Sequence, residues 1–138
     1  MKKLVFATNN QHKLEEIKFI LKDKFEILGL KEFGVNEDIP ETGKTLSENA
    51  TLKSKFIFDK FNVDVFSDDT GLEIEALNNK PGVYSARYAG EEGNSEANMS
   101  KVLMQLKDSK NRNARFRTVI SLIIKGKEFQ FEGIVKGK

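Results

Sequence analysis

The sequence predicts one mixed α/β domain, α+β in its details. Short apolar runs of strand length alternate with amphipathic stretches of helical period, turn-forming residues punctuate them, and a β-hairpin comes last. The 138 residues are 38% hydrophobic and 32% charged, with 10 Gly, 2 Pro and 11 Phe, which suits a compact domain with its own core rather than a disordered chain. The net charge is only +2, with no basic run or aromatic-interleaved basic stripe, so no nucleic acid polymer is expected as a partner. With 0 Cys and 1 His, a disulfide framework, a thiolate zinc site, a Cys nucleophile and a multi-histidine metal site are all excluded. Any metal must be held by oxygen. No apolar run approaches the length of a membrane span, and Met-Lys-Lys-Leu-Val-Phe-Ala passes at once into Thr8-Asn9-Asn10. No membrane segment and a cytoplasmic protein are therefore expected.

The elements follow in order. The run from Lys3 to Ala7 reads as a buried strand that stops at Thr8-Asn9-Asn10, residues that favour turns and helix caps. From Gln11 the period changes: Leu14, Ile17, Ile20 and Leu21 mark one face of a helix, and Lys13, Glu15, Glu16, Lys18 and Lys22 fill the others. A second strand covers Phe25 to Leu30, and the polar stretch from Lys31 to Lys44, with Gly34, Pro40 and Gly43, reads as mostly loop. Thr45 and Glu48 have the spacing of a capping box, ahead of a helix with Leu46, Ala50, Ile57 and Phe61 along one side. Val63, Val65 and Phe66 make a strand expected to end at Ser67-Asp68-Asp69-Thr70-Gly71. Leu72, Ile74 and Ala76 then alternate with Glu73 and Glu75 as a separate half-buried strand, followed by a turn from Asn78 to Gly82. Met99, Val102, Leu103 and Leu106 mark a third helix capped near Asn94 or Ser95. Phe116, Thr118, Ile120, Leu122 and Ile124 alternate with Arg115, Arg117 and Ser121. After Lys125-Gly126-Lys127, Phe129 and Phe131 alternate with Glu128, Gln130 and Glu132, which is a hairpin. The run from Ile134 to Lys138 has no helix after it to cover the sheet edge, so either the last strand is paired by a partner or the sequence is a fragment.

Four groups of residues could carry chemistry. Thr8 to Lys13 is a strand end entering a helix start, where free N–H groups and the helix dipole favour phosphate and Thr8, Asn10 and Lys13 add donors; the same segment also reads as an ordinary cap with a solvated lysine. Asn49 and Lys53 sit on the inward stripe of the second helix and either reach an anionic ligand or, for the lysine, snorkel to water. Asp68 and Asp69 lie where a strand parallel to the first would present its carboxyl end, the ligand crevice of open α/β sheets, so both would face the Thr8 to Lys13 loop; Glu41 could add an oxygen ligand for Mg²⁺. The alternative for Asp-Asp-Thr-Gly is a simple turn. The segment from Pro81 to Gly90, with Tyr84, Arg87 and Tyr88, could line a pocket or seal the sheet. Arg115 and Arg117 share a strand face and read as solvated or structural, and His12 as an exposed first-turn residue.

Taken in order, Ala7-Thr8-Asn9-Asn10 with Lys13, Glu41-Thr42-Gly43, Leu46-Ser47-Glu48-Asn49-Ala50 with Lys53, Ser67-Asp68-Asp69-Thr70-Gly71-Leu72 and the stretch from Pro81 to Gly90 resemble the Ham1/inosine triphosphate pyrophosphatase family of non-canonical purine nucleoside triphosphate pyrophosphatases. Ala114-Arg115-Phe116-Arg117 extends the likeness. The resemblance implies a central mixed sheet of Ham1 or Maf-like type flanked by helices, hydrolysis of dITP, ITP and XTP to the monophosphate and pyrophosphate, Mg²⁺, and a homodimer. It implies that Thr8, Asn9, Asn10, Gln11, His12 and Lys13 hold the triphosphate, with Asn49, Lys53 and Thr70 also on the substrate. Asp69 would be the general base and a metal contact, and Glu41 a further metal ligand. Residues 1–138 would form one domain lacking the carboxyl-terminal Gly-Phe-Gly-Tyr-Asp-Pro and Ser-His-Arg segments of the family, which leaves a truncated nucleotide-binding remnant with little turnover as the alternative. A Maf-like enzyme acting on modified pyrimidine nucleotides fits the motifs less well.

Overall fold

The computed structural model describes residues 2–36, 39, 41–85 and 95–137. Along them run β1 (Lys2–Phe6), α1 (Gln11–Leu21), β2 (Phe25–Gly29), α2 (Leu46–Phe61), β3 (Val65–Ile74), β4 (Lys80–Gly82), α3 (Ser95–Gln105), β5 (Ala114–Ile124) and β6 (Lys127–Gly137), with a 3-10 turn at Glu75–Leu77. They build a six-stranded mixed sheet in the order β2-β1-β3-β5-β6, with β4 also on β3. β2 and β3 run parallel to β1, whereas β4 and β5 are antiparallel to β3 and β6 to β5. The expected α/β class, the amphipathic helices and the final hairpin are all present.

The caps explain where the helices start. The Asn10 side chain accepts from the Lys13 N–H at the head of α1. At α2, Thr45 Oγ1 accepts from the Glu48 N–H at 3.0 Å and the Glu48 carboxylate accepts from the Lys44 N–H at 2.7 Å, a capping box displaced by one residue. Alternation along the strands puts the two helices on opposite faces. Leu4, Phe6 and Ile27 meet Leu14, Ile17 and Leu21 of α1, with Phe66 and Leu122 alongside. Val5, Ala7, Val65 and Ile123 meet Ile57 of α2, and Val119 meets its Leu46 and Ala50. The hairpin turns on Lys125 and Gly126, at φ 51° and 82°, the two positive-φ residues that a tight two-residue loop requires. β6 reaches α2 through polar groups. Glu128 accepts from the Thr51 and Ser121 hydroxyls, each at 2.6 Å, Ser121 meets Ser54 at 2.7 Å, and Gln130 bonds both Ser47 and Thr51 at 2.7 Å.

The expected break at Ser67 to Gly71 is not there. β3 runs unbroken through Asp-Asp-Thr-Gly because β5 pairs with it from Val65↔Ile123 to Ile74↔Ala114, and that ladder overrides turn-like composition. The other edge of β3 is different: β1 pairs only with Val65 and Phe66, and β4 only from Leu72 to Ile74. Among the described residues, 67–71 have no strand partner on that edge. Three further expectations are corrected. Ala76 lies in the 3-10 turn rather than a strand, and Glu73 is buried rather than outward, because Arg115 at 2.6 Å and Arg117 at 3.8 Å compensate its charge. The turn expected from Asn78 to Gly82 is confined to Asn78 and Asn79, both at positive φ, since Lys80–Gly82 forms β4. Pro40, the pocket candidates from Ala86 to Gly90, including Arg87 and Tyr88, and Asn94 as a cap lie outside the described residues.

Gly71 is needed for space. A Cβ there would lie 2.3 Å from Gly82 O and 2.7 Å from Gly82 C, backbone atoms that cannot move without separating β4 from β3. Gly71→Ala is expected to destabilise the fold by about 2–3 kcal/mol, read from the urea midpoint, as overpacking of a closed contact does.

Candidate functional site

Adjacent residues of an extended strand point to opposite faces, and this sorts the candidates. Asp68 and Thr70 lie on the α1 face of β3, while Ser67, Asp69 and Gly71 lie on the α2 face. The expectation that both aspartates face the loop before α1 therefore holds for Asp68 alone, whose Oδ2 pairs with Lys13 Nζ at 2.8 Å. In that loop the Asn10 N–H donates to Thr8 Oγ1 at 3.1 Å and the Asn10 carbonyl side chain is taken by the Lys13 N–H at 3.1 Å. Asn9, Asn10, Gln11 and His12 are exposed, and Thr8 and Lys13 partly so. Thr70 Oγ1 lies 2.8 Å from Thr118 Oγ1 across the β3–β5 ladder.

The α2 face holds the second cluster. Lys53 Nζ donates to the Asp68 carbonyl at 2.5 Å and pairs with Glu41 at 3.3 Å. The ammonium thus occupies a backbone acceptor on the edge of β3 that has no strand partner among the described residues, and so links the two faces. Asn49, one turn earlier on α2, is fully buried; its Oδ1 accepts from the Gly43 N–H at 2.7 Å. The Ser67 hydroxyl, also buried, donates to the Ala50 carbonyl and ties β3 to α2 beside the cluster.

Asp69 sits at the centre of this second group. Its Oδ2 is sealed from solvent and has no hydrogen-bond partner, and the same is true of Asn49 Nδ2. Burial pushes the Asp69 carboxyl up to about 6, with Lys53 pulling it down, Glu41 and Asp68 raising it, and the Asn49 amide, close by but short of a completed hydrogen bond, lowering it. An orphaned carboxylate oxygen beside a second carboxylate suits a hard, oxygen-seeking cation, and Asp69 and Glu41 are the pair to hold it. Among the described residues no group of three or more His, Cys, Asp or Glu is arranged for a metal. The remaining positions around such an ion would fall to water and to oxygens of a ligand.

Several residues at the site carry no assigned role in the sequence reading, although Ser67 and Gly43 stand in its motifs. Ser67, Thr118 and Gly43 belong to it through the bonds just given, and strand alternation counted from Val65 is the signal that points Ser67 inward. Ser85, from the fourth candidate segment, accepts from the Leu72 N–H at 2.8 Å and donates to the Gly82 carbonyl at 2.6 Å, so it closes the β3–β4 edge. Tyr84 is exposed. Arg115 and Arg117 are engaged by Glu73, and Arg117 also by Glu132 at 3.0 Å, which is the structural role.

The sequence profile of the Ham1 family matches residues 4–138. A dITP/XTP pyrophosphatase of Porphyromonas gingivalis is 55% identical over 139 residues, covering 99% of this chain and 71% of its own length. One of Flavobacterium johnsoniae is 51% identical over 136 residues, with 99% and 71% covered. Among solved structures, the Ham1 protein of Staphylococcus aureus superposes with a TM-score of 0.90 at 43% identity, over 99% of this chain and 71% of that one. A HAM1 protein of Coxiella burnetii gives 0.92 at 35% identity, over 100% and 73%.

The half-buried Asp69 carboxyl gives a stability test. Because the fold raises the Asp69 pKa, the folded state holds that proton more tightly. The group therefore favours folding below about pH 4, and this contribution is lost as pH rises through about 6. Discounted for partial exposure to water, the loss is about 1–2 kcal/mol. In metal-free solution Asp69→Asn is expected to match the parent in urea unfolding near pH 4 and to exceed it by that amount at pH 7.5.

Proposed function

The chain belongs to the Ham1 family, and on that premise we propose that it hydrolyses the non-canonical purine nucleoside triphosphates dITP, ITP and XTP to the monophosphate and pyrophosphate. The observation that carries the reading is the Asp69 carboxyl, with one oxygen sealed and unpartnered, set against Lys53 and Glu41 where the β1–β3 pairing stops.

In this reading the side chains from Thr8 to Lys13 bind the polyphosphate at the head of α1, where the helix dipole favours negative charge. Lys13 and Lys53 approach from the two faces of β3 and neutralise charge on the departing pyrophosphate. Thr70 contacts the substrate on the Asp68 side. Asp69 takes the proton of the water that attacks the α-phosphorus; a carboxyl held near 6 is a stronger proton acceptor than an ordinary aspartate and is still ionised at neutral pH. Asp69 and Glu41 would hold Mg²⁺, which supplies further neutralisation of phosphate charge when bound. We also read the chain as one subunit of a homodimer in the cytoplasm. The exposed Phe116, Phe129, Phe131 and Val135 are consistent with a subunit contact. No described helix is long and apolar enough to cross a membrane.

Incubation with dITP, XTP and dATP in Mg²⁺, with the products separated, is expected to show pyrophosphate from the first two well ahead of the third; absence of pyrophosphate from all three overturns the proposal. Asp69→Ala is expected to lower kcat by about 10²–10⁴, the usual range for loss of a general base, with a much smaller change in KM. Because only two carboxylates converge among the described residues, calorimetry is expected to show Mg²⁺ binding at least about tenfold tighter when a non-hydrolysable triphosphate is present than when it is absent.

A further inference from the structure

Asn49 has a place in the fold that neither a ligand contact nor a helix-packing role explains. It is fully buried at the fourth position of α2, its backbone N–H returning to the Thr45 carbonyl at 3.1 Å inside the capped first turn. Its side chain therefore projects from the most firmly held part of the helix. Because the Gly43 N–H can only donate, the oxygen of the amide must be the end that faces it, at 2.7 Å, and Nδ2 is thereby turned toward Asp69. Nδ2 of Asn49 and Oδ2 of Asp69 are a buried donor and a buried acceptor, each without a partner. Leaving such a pair unbonded is costly, which marks it as a place where the carboxyl is aimed rather than tied down.

The loop at the other end is fitted just as closely. A Cβ on Gly43 would lie 2.7 Å from Asn49 Oδ1, 2.7 Å from Glu48 Cβ and 3.1 Å from Asn49 N. The 41–43 backbone thus rests directly on the first turn of α2, and two residues before Gly43 the Glu41 carboxylate meets Lys53. We propose that Asn49 is a positioning residue: one buried amide latches the 41–43 loop through Oδ1 and steers the Asp69 carboxyl through Nδ2, and so fixes Glu41 and Asp69 relative to each other. This rests on the reading of those two carboxylates as the divalent-cation pair. It gives the amide a supporting role of the kind that costs about 10–100-fold in metal affinity or activity when removed.

The test uses three variants of the full chain. Asn49→Leu keeps the branching of the side chain and removes both polar ends of the amide, Asn49→Asp keeps an oxygen for Gly43 but removes the donor, and Gly43→Ala displaces the loop with the Asn49 amide itself retained. In metal-free protein, hydrogen exchange at the Gly43 amide is expected to quicken in Asn49→Leu and to stay near the parent rate in Asn49→Asp. Mn²⁺ binding to nucleotide-free protein, followed by paramagnetic resonance, is expected to weaken about tenfold or more in both Asn49→Leu and Gly43→Ala. Their combination is expected to add little, since both act on one loop. In turnover, Asn49→Asp is expected to lose kcat with KM nearly kept, although its loop stays latched. Parent-like Gly43 exchange together with parent-like Mn²⁺ affinity in Asn49→Leu overturns the latch, and parent-like kcat in Asn49→Asp overturns the steering of Asp69. If the parent chain releases no pyrophosphate, the exchange and Mn²⁺ readouts still decide the positioning role, so the two proposals fail separately.

Discussion

The site depends on an interruption in the sheet. β3 is paired along its whole length by β5, but on its opposite edge β1 leaves after Phe66 and β4 does not begin until Leu72. Extended backbone with one edge uncovered is at once rigid and accessible, since the continuous ladder holds the strand straight while the open edge leaves peptide groups for side chains to meet. Lys53 takes one of them, the Asp68 carbonyl. Had β1 continued for three more residues, its own N–H groups would have competed for that edge, and the ammonium would have lost the contact that brings it between the two faces.

Strand alternation then divides labour across the sheet. Asp68 answers the cation of α1, and Asp69 answers the cation and amide of α2. The two aspartates, neighbours in sequence, sit in different environments: one is paired at 2.8 Å and the other is half-buried with one oxygen sealed and unsatisfied. A pair of carboxylates with unlike surroundings can carry unlike tasks, the first holding a lysine in place and the second, in the proposed reading, taking a proton. The fold gives up some stability to keep Asp69 in that condition, the usual arrangement where polar groups serve chemistry rather than packing.

Much of this was legible in the sequence. The period change at Gln11, the Thr45–Glu48 spacing and the Lys125-Gly126 turn each rest on local physics, and each element formed where that physics put it. What misled was composition without partners. Asp-Asp-Thr-Gly has the residues of a turn, and only the β5 ladder, contributed from some fifty residues further along, makes it strand. Glu73 reads as a surface residue until Arg115 and Arg117 are seen beside it. The opposite facing of Asp68 and Asp69 follows from strand period once the segment is known to be strand, so that error was inherited from the first. The unpartnered Nδ2 of Asn49 has no sequence signature, because it is defined by what fails to bond to it, although the inward position of the residue is legible.

The polar contacts between β6 and α2 have a wider effect. Oily surfaces tolerate sliding, whereas Glu128 and Gln130 find Ser47, Thr51 and Ser121 at only one setting of the hairpin. That setting also fixes which residue of β5 stands opposite Asp69 and which threonine meets Thr70. Those hydroxyls and amides act as the indexing teeth that keep a carboxylate on another strand in alignment.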